Sequence, residues 1–202
     1  MQTLELFPCV VETYYFPEWI EPLKTVANEV ITQTKKHTSN EFAVTCGFNM
    51  HYDERIKPIV RNIGKLSRSF LENQGYDLEN YRLYYDSFWP QEFNKDGGGF
   101  HSRHIHPNTY VSGFFFMECS ENTSYPIFHD PRSQKEMMQL PEKNKSDLTS
   151  ASEVANIRPL PGSLIIFNSF LPHSYQYDSG IDPFSFIHFT MGAALKSIIK
   201  QD

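Results

Sequence analysis

The chain has 202 residues, enough for one sizeable core and too few for two ordinary domains. Its 24 acidic side chains outnumber 18 lysines and arginines, and no basic tract stands out, which argues against a nucleic-acid partner held by bulk charge. Three widely spaced cysteines with no C-x-x-C pair argue against a disulfide framework or a structural zinc site, and no stretch reaches the roughly 18–20 apolar residues of a membrane span.

The opening "MQTLELFPCVVETYYF" lacks the basic and apolar regions of a signal peptide, so a soluble, cytoplasmic protein is expected. Within it, "LELFPCVVETYYF" reads as a first strand. In "PEWIEPLKTVANEVITQTKK", Trp19, Leu23, Val26 and Val30 fall at helical spacing, with Pro17 or Pro22 in the first turn. "RIKPIVRNIGKLSRSFLENQGY" repeats the pattern with Val60, Ile63, Leu66 and Phe70, and Gly75 is a reasonable stop. Beyond it, "YRLYYDSFWPQEF" is a strand whose aromatics suggest burial on both faces, and "NKDGGGFHSRH" is a glycine-rich turn. "TYVSGFFFME", "YPIFHD", "IRPL", "GSLIIFN" and "FSFIHFTMGAAL" complete the strand candidates, while residues 133–156 form a polar segment without a period. Two helices followed by many short strands predict an α+β, mainly β domain with helices packed on an antiparallel sandwich or barrel.

Eight histidines carry the chemistry worth weighing. His37 in a polar linker and His51 in a turn-like stretch read as solvated; His101 sits in the glycine-rich turn, close enough to the next pair to line a shared cavity, but reads first as a solvated turn residue; His129 is ambiguous; His188 alternates with Phe186 and reads as a core or strand-face residue. His104 and His106 differ, because residues i and i+2 of an extended chain share a face with Cα atoms about 6–7 Å apart and can grip one ion. They follow the glycine-rich turn and precede Pro107, and His173 stands far downstream behind Pro172. Two local ligands and one distant one, with other positions open, match a mononuclear non-haem iron site.

"DGGGFHSRHIHP", Ser112–Gly113 followed by Phe114 to Phe116, Asp130–Pro131–Arg132, and Pro161–Gly162 with "SLIIFNSFLPH" occur here in an order that resembles the iron(II)/2-oxoglutarate-dependent oxygenase superfamily. Within it, the chain is similar to the bacterial and phage 2OG-Fe(II) oxygenases with an H-x-H-P motif. The resemblance covers roughly the last 120 residues, with a looser likeness in the opening "LFPCVV" and helix, and implies a double-stranded β-helix, or jelly roll, with N-terminal flanking helices. One domain over 1–202 is then expected: a strand and flanking helices in 1–80, and a β core in 81–202 with a lid-like loop at 133–156. Met137 and Met138 would give that lid an adaptable apolar contact. It further implies Fe(II) held by His104, His106 and His173, with 2-oxoglutarate and O2 as co-substrates for oxidation of a substrate C–H bond.

Two departures from the superfamily pattern bear on the site. His106 stands where the usual H-x-D motif has its carboxylate, which leaves the iron one negative charge short and should raise its redox potential. Asp130 is an alternative ligand or a residue that orients a histidine. Most members also carry an arginine after the distal histidine to pair with the far carboxylate of 2-oxoglutarate, and Pro183 holds that position here. Ser185 matches the serine that follows. Arg132 is the candidate substitute with Tyr110 adding a hydroxyl, and Arg103 and Arg158 are fallbacks. Two other readings stay open: a three-histidine, cupin-like dioxygenase independent of 2-oxoglutarate, and a non-catalytic jelly-roll binding module. The substrate, small molecule or protein, is not written in the sequence, and homodimer formation through exposed sheet edges is left open.

Overall fold

In this computed structural model, residues 2, 6–37, 43–138 and 140–196 are described. β1 (Val11–Tyr15) leads through a 3-10 turn at Pro17–Trp19 into α1 (Ile20–His37). There follow β2 (Val44–Cys46), α2 (Lys57–Asn73) and the long β3 (Tyr81–Phe93). The rest is β: β4 (His101–His104), β5 (Val111–Glu118), β6 (Pro126–His129), β7 (Val154–Asn156), β8 (Ser163–Asn168), β9 (His173–Tyr175) and β10 (Ser185–Leu195).

Both helices form for the reason their sequences suggest. Leu23, Val26, Ala27 and Ile31 of α1 and Ile59, Val60, Ile63 and Phe70 of α2 make one apolar stripe each and are buried. His37, read as part of a polar linker, is instead the last residue of α1. Gly75, just past α2, takes a φ of +92°, a left-handed conformation that glycine adopts without a Cβ penalty.

The strands build a major sheet in the order β1-β8-β5-β10-β3-β2 and a minor sheet in the order β4-β9-β6-β7, with every pairing antiparallel. The mainly β, jelly-roll architecture with N-terminal helices is therefore present. One core packs the helices on the outside of the major sheet, with Leu23, Ile63, Phe88, Phe115 and Ile187 among its members. The other lies between the sheets and is aromatic, with Phe93, Phe114, Phe167, Tyr175 and Phe186. β5 serves both cores at once, so Phe114 and Phe116 face the barrel while Phe115 and Met117 face the helices. That is why "VSGFFFME" shows no alternation: a strand covered on both faces gains by being apolar throughout.

Three short strands, β2, β4 and β9, escape the sequence reading, and "IRPL" is not a strand; Val154–Asn156 pairs with β6 in its place. The polar segment 133–156 carries a 3-10 turn at Ser133–Met137, and its Met137 and Met138 are exposed. Its polar contacts include Lys135 with Asp130, Lys135 Nζ donating to Ser152 O, and Arg132 Nη2 donating to Ser150 O.

Candidate metal centre

His104, His106 and His173 converge, with one ring nitrogen of each lying within 4.8 Å of the others. The minor sheet does most of the positioning. His104 on β4 pairs directly with His173 on β9, and His101 pairs with Tyr175. Because 101 and 104 are three apart while their partners are two apart, a bulge between them turns both rings to the inner face. His106 lies just beyond β4, where its N–H donates to Ser169 O at 3.1 Å and its carbonyl accepts from Thr109 Oγ1. Its Nε2 stands 3.2 Å from Nε2 of His173.

Backbone carbonyls settle which nitrogen is available on two of the rings. Nδ1 of His104 donates to Ser102 O at 2.7 Å, and Nδ1 of His173 donates to Leu171 O at 3.0 Å. A neutral imidazole that donates from Nδ1 keeps its Nε2 lone pair, so both rings present a free donor to the shared space. Phe114, Phe128 and Phe167 pack around His173 with centroids between 4.8 and 6.3 Å and close the site on its inner side. The donor set of three imidazoles fits a divalent iron ion.

The other candidates sit elsewhere. Asp130 is held by Arg132 through a two-pronged ion pair, with its Nε at 3.0 Å and Nη2 at 2.7 Å, and by Lys135 at 3.2 Å. These residues line a small cleft with Arg103, His129, Glu153 and Val154, on the opposite side of the minor sheet from His173. The side follows from the strand alternation. Phe128 and His173 point into the barrel, whereas their neighbours His129 and Ser174 hydrogen-bond to each other outside it. Asp130 therefore lies outside the cluster of three imidazoles, and Arg132 and Arg103 line the outer cleft with it. Arg158 lies over the Tyr125 ring and donates to Glu121 O. Ser185 is buried but faces away from the barrel, donating to Glu118 Oε2, which side by side with Lys24 ties β10 and β5 to α1. Tyr110 is exposed beside the rim, its backbone bonded to Met191 and Ser169. For Arg132→Ala, titration with 2-oxoglutarate should therefore return the wild-type affinity; a large loss would mean the cleft closes onto the iron in solution.

Sequence reasoning missed two rings. His101 is half-buried, and its Nε2 lies 2.7 Å from Gln91 Nε2, which makes it an acceptor rather than a solvated turn residue. His188, 3% exposed, points inward from β10 and brings its Nε2 to 3.2 Å from that of His106. Its alternation with Phe186 was the available signal.

Crowding these rings together in an aromatic interior keeps them neutral. Burial first, and the neighbouring histidines second, push His101 and His106 down to about 4. Burial likewise takes His173 down to about 3, against the favourable bond to Leu171 O. In the unfolded chain these rings titrate near 6.5, so between about 4 and 6.5 the unfolded state binds more protons. Stability of the metal-free protein is thus full above pH 6.5 and falls as the pH drops toward 4, His173 alone contributing at most about 1.4 kcal/mol per pH unit. Urea midpoints measured from pH 7 to 4.5 should decline steeply, and a flat profile would contradict the burial of these rings.

Residues 87–182 match a family model described as "Putative 2OG-Fe(II) oxygenase". No curated protein sequence matches the chain. Among solved structures, a 2OG-Fe(II) oxygenase family oxidoreductase from Burkholderia pseudomallei aligns with a TM-score of 0.59 at 8% identity, covering 91% of this chain and 84% of that one. A Pseudomonas putida prolyl-4-hydroxylase aligns at 0.54 and 13%, covering 90% and 92%. EctD from S. alaskensis, in its apoform, aligns at 0.62 and 11%, covering 91% and 73%. At such identities the structural likeness speaks for the fold, and the family match speaks for the chemistry. Over residues 87–182, therefore, the chain is similar to the 2OG-Fe(II) oxygenase family, whose members use Fe(II) and 2-oxoglutarate.

Proposed function

We propose that this protein is an Fe(II)- and 2-oxoglutarate-dependent hydroxylase whose iron is held by His104, His106 and His173. The observation that carries the reading is the convergence of three imidazole nitrogens within 4.8 Å at one end of a jelly roll. Bound iron, with 2-oxoglutarate and O2, would supply the oxidation of a substrate C–H bond. The chain's own part is to hold and to exclude. Ser102 O and Leu171 O keep the proton on Nδ1 of two ligands, and Phe114, Phe128 and Phe167 keep water from the inner side of His173. On the rim, the Thr109 and Ser169 hydroxyls share a hydrogen bond and Ser112 shares another with Ser169, bracing the backbone that carries His106.

A second reading, a three-histidine dioxygenase that does without 2-oxoglutarate, is favoured by one observation. Among the described residues no arginine or lysine is buried, and Phe184, next to Pro183, is packed into the barrel's aromatic core. The interior therefore fits iron and offers the far carboxylate of 2-oxoglutarate no cation. Titrating the anaerobic Fe(II) protein with 2-oxoglutarate separates the two. A weak visible charge-transfer band, with succinate formed once air is admitted, supports the first reading; iron bound without such a band supports the second. A protein that binds no iron would be left with the binding-module reading. The three free cysteines and the family's Fe(II) requirement support a reducing cytoplasm as the working compartment.

A further inference from the structure

His188 reaches the barrel interior from the major sheet, opposite the strands that carry the proposed ligands. It lies on β10, paired across the ladder with Trp89 on β3, and is 3% exposed. Its ring packs between Trp89 at 4.8 Å and Phe114 at 5.6 Å, and its centroid is 4.6 Å from that of His106, closer than His173 at 5.1 Å. Its Nε2 is 3.2 Å from His106 Nε2, the same separation as between His106 and His173. Its Nδ1 is buried without a hydrogen-bond partner.

A histidine kept only for packing would be expected to satisfy both nitrogens, because an imidazole left half-paired in an apolar interior is costly. The geometry has another use. Two imidazole nitrogens bound to one ion at about 2.1 Å, with an angle between right-angled and tetrahedral, stand roughly 3.0–3.4 Å apart. Both 3.2 Å spans around His106 fall in that range, so His188, like His173, is spaced to share an ion with His106. We propose that His188 is a fourth imidazole ligand of the iron, bound through Nε2. The assignment rests on the iron site proposed above. It fixes the ion from both sheets of the barrel, through β4 and β9 on one side and β10 on the other. Four imidazoles leave two of six octahedral positions open, enough for one chelating ligand or for two small ones.

X-ray absorption on the anaerobic Fe(II) protein counts imidazoles directly, and dialysis or competition titration gives the Fe(II) affinity. The wild type should show four imidazole scatterers. His188→Gln, which keeps a hydrogen-bonding group beside His106 at similar volume, should show three, with affinity lower by more than the roughly 10–100-fold that losing only a ligand's partner costs. His188→Gly with added free imidazole should regain the fourth scatterer. Three imidazoles in the wild type, unchanged in His188→Gln, would overturn the assignment while leaving the three-histidine site standing. A wild type that takes up no Fe(II) would remove both.

Discussion

Replacing His106 with alanine should abolish stoichiometric Fe(II) binding while the far-UV spectrum and the thermal transition stay close to wild type. The expected loss exceeds the roughly 10–100-fold typical when only a partner of a metal ligand is removed, because a ligand itself is gone. The fold should survive for structural reasons. His106 is half-buried, it lies outside the sheet, and its backbone stays pinned by Ser169 O and by the Thr109 hydroxyl, neither of which needs the imidazole. His106→Asp provides the control. It installs the carboxylate of the superfamily's more common H-x-D arrangement, so iron binding should return. Metal analysis after anaerobic desalting reads both variants, and full iron retention by His106→Ala would remove His106 from the ligand set. Asp130 could not then take its place, since it is engaged by Arg132 and Lys135 in the outer cleft.

The largest effect on stability is expected from Phe114→Ala. This ring is 1% exposed and sits where the inner core meets the histidines, with centroids of Phe167 at 5.2 Å, Tyr175 at 5.4 Å, and both His173 and His188 at 5.6 Å. Truncating a fully buried phenylalanine costs about 3–5 kcal/mol through lost transfer energy and the cavity left behind. Collapse is hard here because the walls come from both sheets, so the cost should fall near the upper end. Iron affinity should fall as well, since the rings of His173 and His188 lose a shared wall. Urea unfolding of the metal-free variant measures the first effect and Fe(II) titration the second. A loss below about 1 kcal/mol would show that the barrel interior is loosely packed and refills without penalty.

Much of this molecule could be read residue by residue. The stripes Leu23–Val26 and Val60–Ile63–Phe70 announce their helices because each helix buries only one face. "GSLIIFN" and "FSFIHFTMGAAL" announce strands because their length and apolar character leave few alternatives. β4 and β9 could not be read in the same way. Three or four residues beside glycines or behind a proline carry too little local preference, and they are strands because distant partners supply their hydrogen bonds, β9 to β4 and β6 to β9. "IRPL" failed in the opposite sense: the partner strand β6 pairs with the residues just before it.

The same division runs through the site. An H-x-H pair followed by a distant histidine is a one-dimensional pattern, and the chemistry of imidazole makes it meaningful before any fold is known. Which side of a sheet a residue occupies is decided by register, and a shift of one position reverses it. Register put Ser185 against Glu118 and the helix side, left Arg132 paired with Asp130 outside the minor sheet, and turned His188 inward to His106, a residue 82 positions away in the chain. Local propensity and spacing thus determined the elements and nominated three ligands. The pairing of distant strands alone decided which candidates face the barrel interior, because strand alternation acts only once a partner strand sets which face is buried.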